Sequence, residues 1–94
     1  MENIIHVKGD RRFELKLDDD IAYIEYVESQ SKVWSLTHTW IPVSQRGKGA
    51  AAKLTAGVFE WCRDNGVKII PVCPYIVTFL KRHPEWEDSI LYKG

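Results

Sequence analysis

With 94 residues, 45% of them apolar and 28% charged, the chain has the size and composition of one small folded domain (residues 1–94) and not of a disordered tail. Thirteen Lys and Arg balance thirteen Asp and Glu, so the basic excess typical of nucleic-acid binders is missing. Two cysteines do not make a disulfide scaffold, Met1 to His6 lacks a signal-peptide pattern, and no stretch approaches the ~20 apolar residues of a membrane span. The expectation is a cytoplasmic protein with free thiols and with neither a nucleic-acid nor a membrane partner.

The first half reads as strands. Ile4 to Lys8 is a short β-prone run, and Gly9-Asp10 is a turn signal. Phe13, Leu15 and Leu17 alternate with charged residues at a period of two, until Asp18-Asp19-Asp20 breaks the pattern. Ile21 to Val27, rich in β-branched and aromatic residues, predicts a third strand; Glu28 to Lys32 reads as a polar loop. Val33 to Ile41 predicts a fourth strand. Simple alternation places Leu36, His38 and Trp40 on one face and Thr37, Thr39 and Ile41 on the other.

The period then changes. Ala51, Leu54, Thr55, Val58 and Cys62 follow helical spacing and predict a helix to about Asn65, where Asn65-Gly66 is a stop signal. Val67 to Val72 predicts a buried fifth strand, and Tyr75 to His83 a second helix ended by Pro84. Residues 85–94 carry no clear signal. The order is β-β-β-β-α-β-α, an α/β (α+β) chain in which an antiparallel meander leads into one β-α-β crossover. That crossover should be right-handed, with its two strands parallel.

Between the fourth strand and the first helix lies Gln45-Arg46-Gly47-Lys48-Gly49-Ala50-Ala51. Glycines let backbone N–H groups approach a ligand, and a helix start offers unpaired N–H groups with partial positive charge. With Arg46 and Lys48 added, the segment suits a pyrophosphate. It reads equally as a plain glycine-rich turn into a helix. The P-loop pattern is absent. Gly47-x-Gly49-x-x-Ala52 formally matches a dinucleotide fingerprint, but the next strand ends Pro71-Val72-Cys73, without the acidic residue that motif needs.

Arg46-x-x-Gly49-x-Ala51 resembles the Arg/Gln-x-x-Gly-x-Gly/Ala signature of GNAT acetyltransferases. Leu36-Thr37-His38-Thr39 before the loop, and Val72-Cys73-Pro74-Tyr75 running on to Phe79 and His83-Pro84 after it, are similar to a subgroup of very short members. The resemblance covers nearly the whole chain. It implies a GNAT-like fold without the two helices that larger members place between their first two strands, and hence an open acceptor side. It implies acetyl-coenzyme A as cosubstrate and an amine or protein acceptor of unknown identity, in a monomer or weak dimer. Residues 45–51 (Gln45, Arg46, Gly47, Lys48, Gly49, Ala50 and Ala51) would hold the pyrophosphate. The backbone of Thr39, Trp40 and Ile41 would hold the thioester carbonyl. The alternative is a coenzyme A-binding module without turnover.

Three side chains are catalytic candidates. Cys73 directly precedes Pro74, a favoured first helical residue, so its thiol sits at a predicted helix start that favours thiolate. It is otherwise a small buried hydrophobe. His38 is a potential base, and approaches Cys73 if strands four and five splay as in GNAT folds; otherwise it is an ordinary strand histidine. Tyr75 is a potential acid toward the departing thiolate, or a helix residue packed on the sheet. Transfer would be direct or through an acetylated Cys73. Cys62 falls on the apolar stripe and reads as core; His6 and His83 read as surface. No metal-ligand spacing appears, so no metal is expected.

Overall fold

A computed structural model describes residues 4–94; Met1, Glu2 and Asn3, part of the stretch read for a leader, lie outside the described residues. The predicted strands form one sheet of β1 (Ile4–Val7), β2 (Arg12–Leu17), β3 (Asp20–Gln30), β4 (Val33–Trp40) and β5 (Lys68–Pro71). They lie side by side in chain order, antiparallel up to β4 and parallel between β4 and β5. A 3₁₀ turn at Lys8–Asp10 and its C-cap Arg11 are all that separate β1 from β2. The polar segment read as a loop after Val27 instead extends β3 to Gln30. The hairpin is closed by Ser31 and Lys32 alone, with Lys32 taking the positive φ of 62° that the tight turn needs.

β4 does not alternate simply. Glu25 pairs with His38 and Tyr26 with Leu36, so Thr37 is an extra residue facing no partner of its own, a β-bulge. The bulge corrects the expected faces. Thr39, paired with Ile24, shares the side of Leu36, while His38 and Trp40 turn to the other side.

α1 (Ala50–Asp64) and α2 (Pro74–Arg82) both pack on the Leu36 side. α1 buries Ala50, Leu54, Thr55, Val58, Phe59 and Cys62, the helical stripe seen in the sequence. It ends at Gly66, whose N–H donates to the Arg63 carbonyl while Val67 N–H donates to the Cys62 carbonyl, 2.8 Å away, a Schellman closure that needs the glycine's φ of 69°. α2 buries Ile76, Phe79 and Leu80, and Phe79 meets Phe59 of α1 edge-on at 5.4 Å. Midway along α1, Gly57 lets β1 pass beneath: a Cβ there would lie on the Ile4 side chain.

The other face of the sheet carries Ile5, Arg12, Glu14, Lys16, Ile21, Tyr23, Glu25, Val27, His38 and Trp40, and none of these is buried. Among the described residues no α-helix lies between β1 and β2, as the resemblance implies.

The tail gains a structure, and one expectation about a histidine needs correction. Residues after His83 are structured: Pro84–Trp86 forms a 3₁₀ turn, α3 (Glu87–Ile90) buries Ile90, and Leu91 bridges in parallel to Ile69. His6, read as a surface residue, is part-buried. It stacks on Phe13 at 4.5 Å and shares a 2.6 Å hydrogen bond with the Tyr26 hydroxyl, within an aromatic cluster completed by Trp34 and Trp61. His83 keeps its surface position, its side chain 44% exposed, with its ring 4.3 Å from that of Phe79. No helix among the described residues is long and apolar enough to cross a membrane.

Candidate functional site

After β4, Pro42 and a 3₁₀ turn at Val43–Gln45 redirect the chain into the glycine loop. Gly47 and Gly49 adopt φ of 78° and 82°, left-handed conformations that other residues adopt only at a cost. At neither glycine would a Cβ meet another protein atom within 4 Å, so both face open space. Gly49 is the N-cap of α1 and brings no side chain to cap it. The first helical bond runs from Lys53 N–H to the Gly49 carbonyl, 3.0 Å. The N–H groups of Ala50, Ala51 and Ala52 are left without a backbone acceptor among the described residues.

These N–H groups open on a groove of about 250 Å³. Of the predicted set, Ile41, Gln45, Arg46, Gly47, Gly49, Ala50, Ala51 and Tyr75 line it together, and Ala52 joins them. Lys48, Thr39 and Trp40 do not line it; Lys48 is exposed. Arg46 folds back over its own loop. Its Nε donates to the Ile41 carbonyl at 3.0 Å, and its guanidinium lies 5.4 Å from the centre of the Trp40 ring. The arginine thus braces the loop to the end of β4 while its remaining N–H groups stay at the groove.

A second opening adjoins the loop. β4 and β5 pair from Val33↔Lys68 to Leu36↔Pro71 and no further. The N–H groups of Val72 and Cys73 both converge on the Leu36 carbonyl, at 3.2 and 3.0 Å, and the chain then turns into α2. β4 continues to Trp40 paired with β3 only, leaving a gap between the ends of β4 and β5.

Cys73 stands at this gap. It is the N-cap of α2, with Pro74 next, as the sequence predicts, but its sulfur makes no regular cap bond. The thiol donates instead to the Thr39 hydroxyl at 3.4 Å. Burial pushes the Cys73 thiol up, yet the hydrogen bond from Thr39 and the backbone N–H groups of Ile76 and Tyr75 facing the sulfur outweigh it, and the thiol titrates below its usual range. Cys62, sealed in the core, is pushed up by burial to about 12. Burial also raises Tyr75, against an opposing pull from Arg82, which keeps the phenol protonated at neutral pH.

His38 and Cys73 are not brought together. The bulge at Thr37 turns the imidazole to the bare face, where its ring lies 6.2 Å from that of Tyr23. The residue that reaches Cys73 is Thr39, expected to act only through its backbone. Nothing in a Thr-His-Thr triplet reveals which of its side chains faces the cysteine, because that depends on the bulge. Among the described residues, no group of three or more His, Cys, Asp or Glu side chains gathers where a metal ion would bind.

A profile of the family described as GCN5-related N-acetyl-transferase matches residues 12–89. Among curated proteins, the Homo sapiens protein named Protein NATD1 is 29% identical over 85 residues, covering 85% of this chain and 75% of its own length. The Mus musculus Protein NATD1 is 27% identical over 81 residues, covering 84% and 74%. Among solved structures, an NMR structure of a GCN5-like protein from Staphylococcus aureus superposes with a TM-score of 0.67 at 24% identity, over 98% of this chain and 90% of that one. At that identity the superposition speaks to fold.

Proposed function

Since the chain belongs to the GCN5-related N-acetyltransferase family, we propose that it binds acetyl-coenzyme A at the glycine loop and transfers the acetyl group to an amine. The observation that carries this reading is the groove at the start of α1. There, two left-handed glycines, three helix N–H groups without a backbone acceptor among the described residues and a guanidinium meet at one open space that Tyr75 also lines.

Those donors fit a pyrophosphate. Its oxygens accept from the amides of Ala50, Ala51 and Ala52 and from Arg46, while the N-terminal dipole of α1 favours the negative charge. Acetyl-coenzyme A supplies an activated acetyl thioester. The exposed β4 edge beyond Leu36 offers backbone donors beside that group, in line with the expected roles of Thr39, Trp40 and Ile41. Tyr75, protonated at neutral pH, donates a proton or hydrogen bond to the departing sulfur. Cys73, poised toward thiolate beside Thr39, either polarises the gap or takes the acetyl group itself before the amine does.

The test is a calorimetric titration with coenzyme A, followed by incubation of acetyl-coenzyme A with an amine mixture and measurement of free thiol. Binding with amine-dependent thiol release supports the proposal; no binding ends it. A second reading, a coenzyme A-binding module without turnover, draws on the bare sheet face, which provides no enclosed acceptor pocket. Binding without thiol release favours that one.

A further inference from the structure

The bulge at Thr37 sorts the chemistry of β4 onto two faces. Thr39 goes to the helix side with Cys73. His38 and Trp40 go to the bare side and meet two residues of β3: Glu25 directly across from His38, and Tyr23 directly across from Trp40. The four side chains make a block two residues long and two strands wide, with cross-strand neighbours within reach of one another. The block lies on the stretch of β4 that runs past β5, so the gap at Cys73 connects it to the helix side.

Its chemistry is selective. Glu25 makes no ion pair among the described residues. Arg12, its neighbour on β2, is held instead by Glu14 at 2.7 Å. Both aromatic rings already sit beside cations, with the Arg12 guanidinium 4.6 Å from the Tyr23 centroid and that of Arg46 5.4 Å from Trp40. A half-buried carboxylate between an imidazole and two cation-tolerant rings suits a positive charge carried on an alkyl stem.

We propose that Tyr23, Glu25, His38 and Trp40 form the acceptor subsite, and that it takes a protonated primary amine on an alkyl chain. This rests on the acetyl-transfer reading above. Glu25 neutralises the ammonium and the rings cover its methylenes. His38 acts as the base and removes one ammonium proton, which frees the nitrogen lone pair. The nitrogen then bonds to the acetyl carbon and the carbon–sulfur bond breaks. The nitrogen's remaining surplus proton passes to the departing sulfur, and His38 returns its own to water. The imidazole is thus a base for the amine on one side of the sheet, while Tyr75 serves the departing sulfur on the other.

Backbone and indole N–H shifts of the coenzyme A-saturated protein test this. The probes are butylamine, a capped Gly-Gly-Lys-Gly-Gly peptide, and the same peptide with acetylated lysine. The amines should shift the amides of Tyr23, Glu25 and His38 and the indole of Trp40, and the acetylated peptide should not. Glu25→Gln and Tyr23→Leu should each weaken amine binding by about threefold, with coenzyme A affinity unchanged. A preference for the peptide assigns a polypeptide source, and equal affinities a small free amine; both uphold the ammonium subsite. Equal shifts from the acetylated peptide, shifts confined to the helix side, or undiminished binding to Glu25→Gln overturn it. Shifts at Gly47 and Gly49 on adding coenzyme A are read first, so failure of the coenzyme A reading is seen separately.

Discussion

The Cys73 thiol reaches the Thr39 hydroxyl, 3.4 Å away, across the gap where β4 and β5 part. The hydroxyl can turn to donate once the sulfur is charged, so this contact helps hold the thiol below its usual range. Cys62 has no such partner among the described residues, and burial pushes it up to about 12.

Limited iodoacetamide labelling at about pH 7 should therefore modify Cys73 well before Cys62, because the thiolate is the nucleophile. Thr39→Val should slow Cys73 labelling by roughly three- to tenfold, the worth of one hydrogen bond. Bound acetyl-coenzyme A should slow it further or leave an acetyl mass on the Cys73 peptide. Peptide mass spectrometry reads all three, and faster labelling of Cys62 would discard the cysteine from the mechanism.

Gly49 and Gly66 make a controlled pair. Both take positive φ at an end of α1, but Gly49 faces the groove and Gly66 closes the far end. Valine at either position should cost about 1–3 kcal/mol of stability through backbone strain. Gly49→Val alone should also weaken coenzyme A binding, by about tenfold or more, as its side chain enters the space of the pyrophosphate. Calorimetry that finds equal affinity in both variants would remove the loop from the binding site.

Thr55 lies fully buried on the core face of α1, and its hydroxyl has no hydrogen-bond partner among the described residues. Thr55→Val removes an unpaired polar group and adds apolar contact, so it should stabilise the fold by about 1–2 kcal/mol. A higher urea midpoint with an unchanged slope is the expected signature; a lower midpoint would mean the hydroxyl has a partner in solution.

His6 should make stability depend on pH. Its pKa is held below 6.5, chiefly by burial and secondly by Lys8, against the opposing pull of Glu28. The folded state therefore binds the proton less well than the unfolded chain does. The stability present above the unfolded pKa is lost as pH falls through the folded one. Urea melts between about pH 7.5 and 5.5 should show this loss, and His6→Phe should flatten that part of the profile. An equal slope in the variant would assign the dependence to other groups.

Much of the fold is legible in the sequence because its signals are local and periodic. Phe13 and Leu15 alternate as their strand does, Leu54, Val58 and Cys62 keep helical spacing, and Asn65-Gly66 stops α1 through φ values that glycine alone takes cheaply. The groove residues Gln45, Arg46, Gly47, Gly49, Ala50 and Ala51 stand together in the sequence, although the segment alone reads equally as a plain turn into a helix. What escapes is set by pairing at a distance. Thr37 becomes a bulge only because Glu25 and Tyr26 of another strand hold His38 and Leu36 in register. His6 is drawn inside by Phe13 and Tyr26, and the tail is ordered by Ile69, which no local pattern around Leu91 announces.

The unpaired residue in β4 also changes how length variation in this segment should be read. Upstream of Thr37 the strand keeps step with the core; downstream it runs half a cycle out of step. Deleting Thr37 would leave Leu36 opposite Tyr26, His38 opposite Glu25 and Thr39 opposite Ile24, so the reagents of the two sides would keep their places. Pairing Thr37 with Glu25 at unchanged length would instead carry the imidazole to the thiol and the hydroxyl to solvent. A strand one residue shorter at this point therefore preserves the arrangement, and one of equal length that lacks the bulge exchanges it.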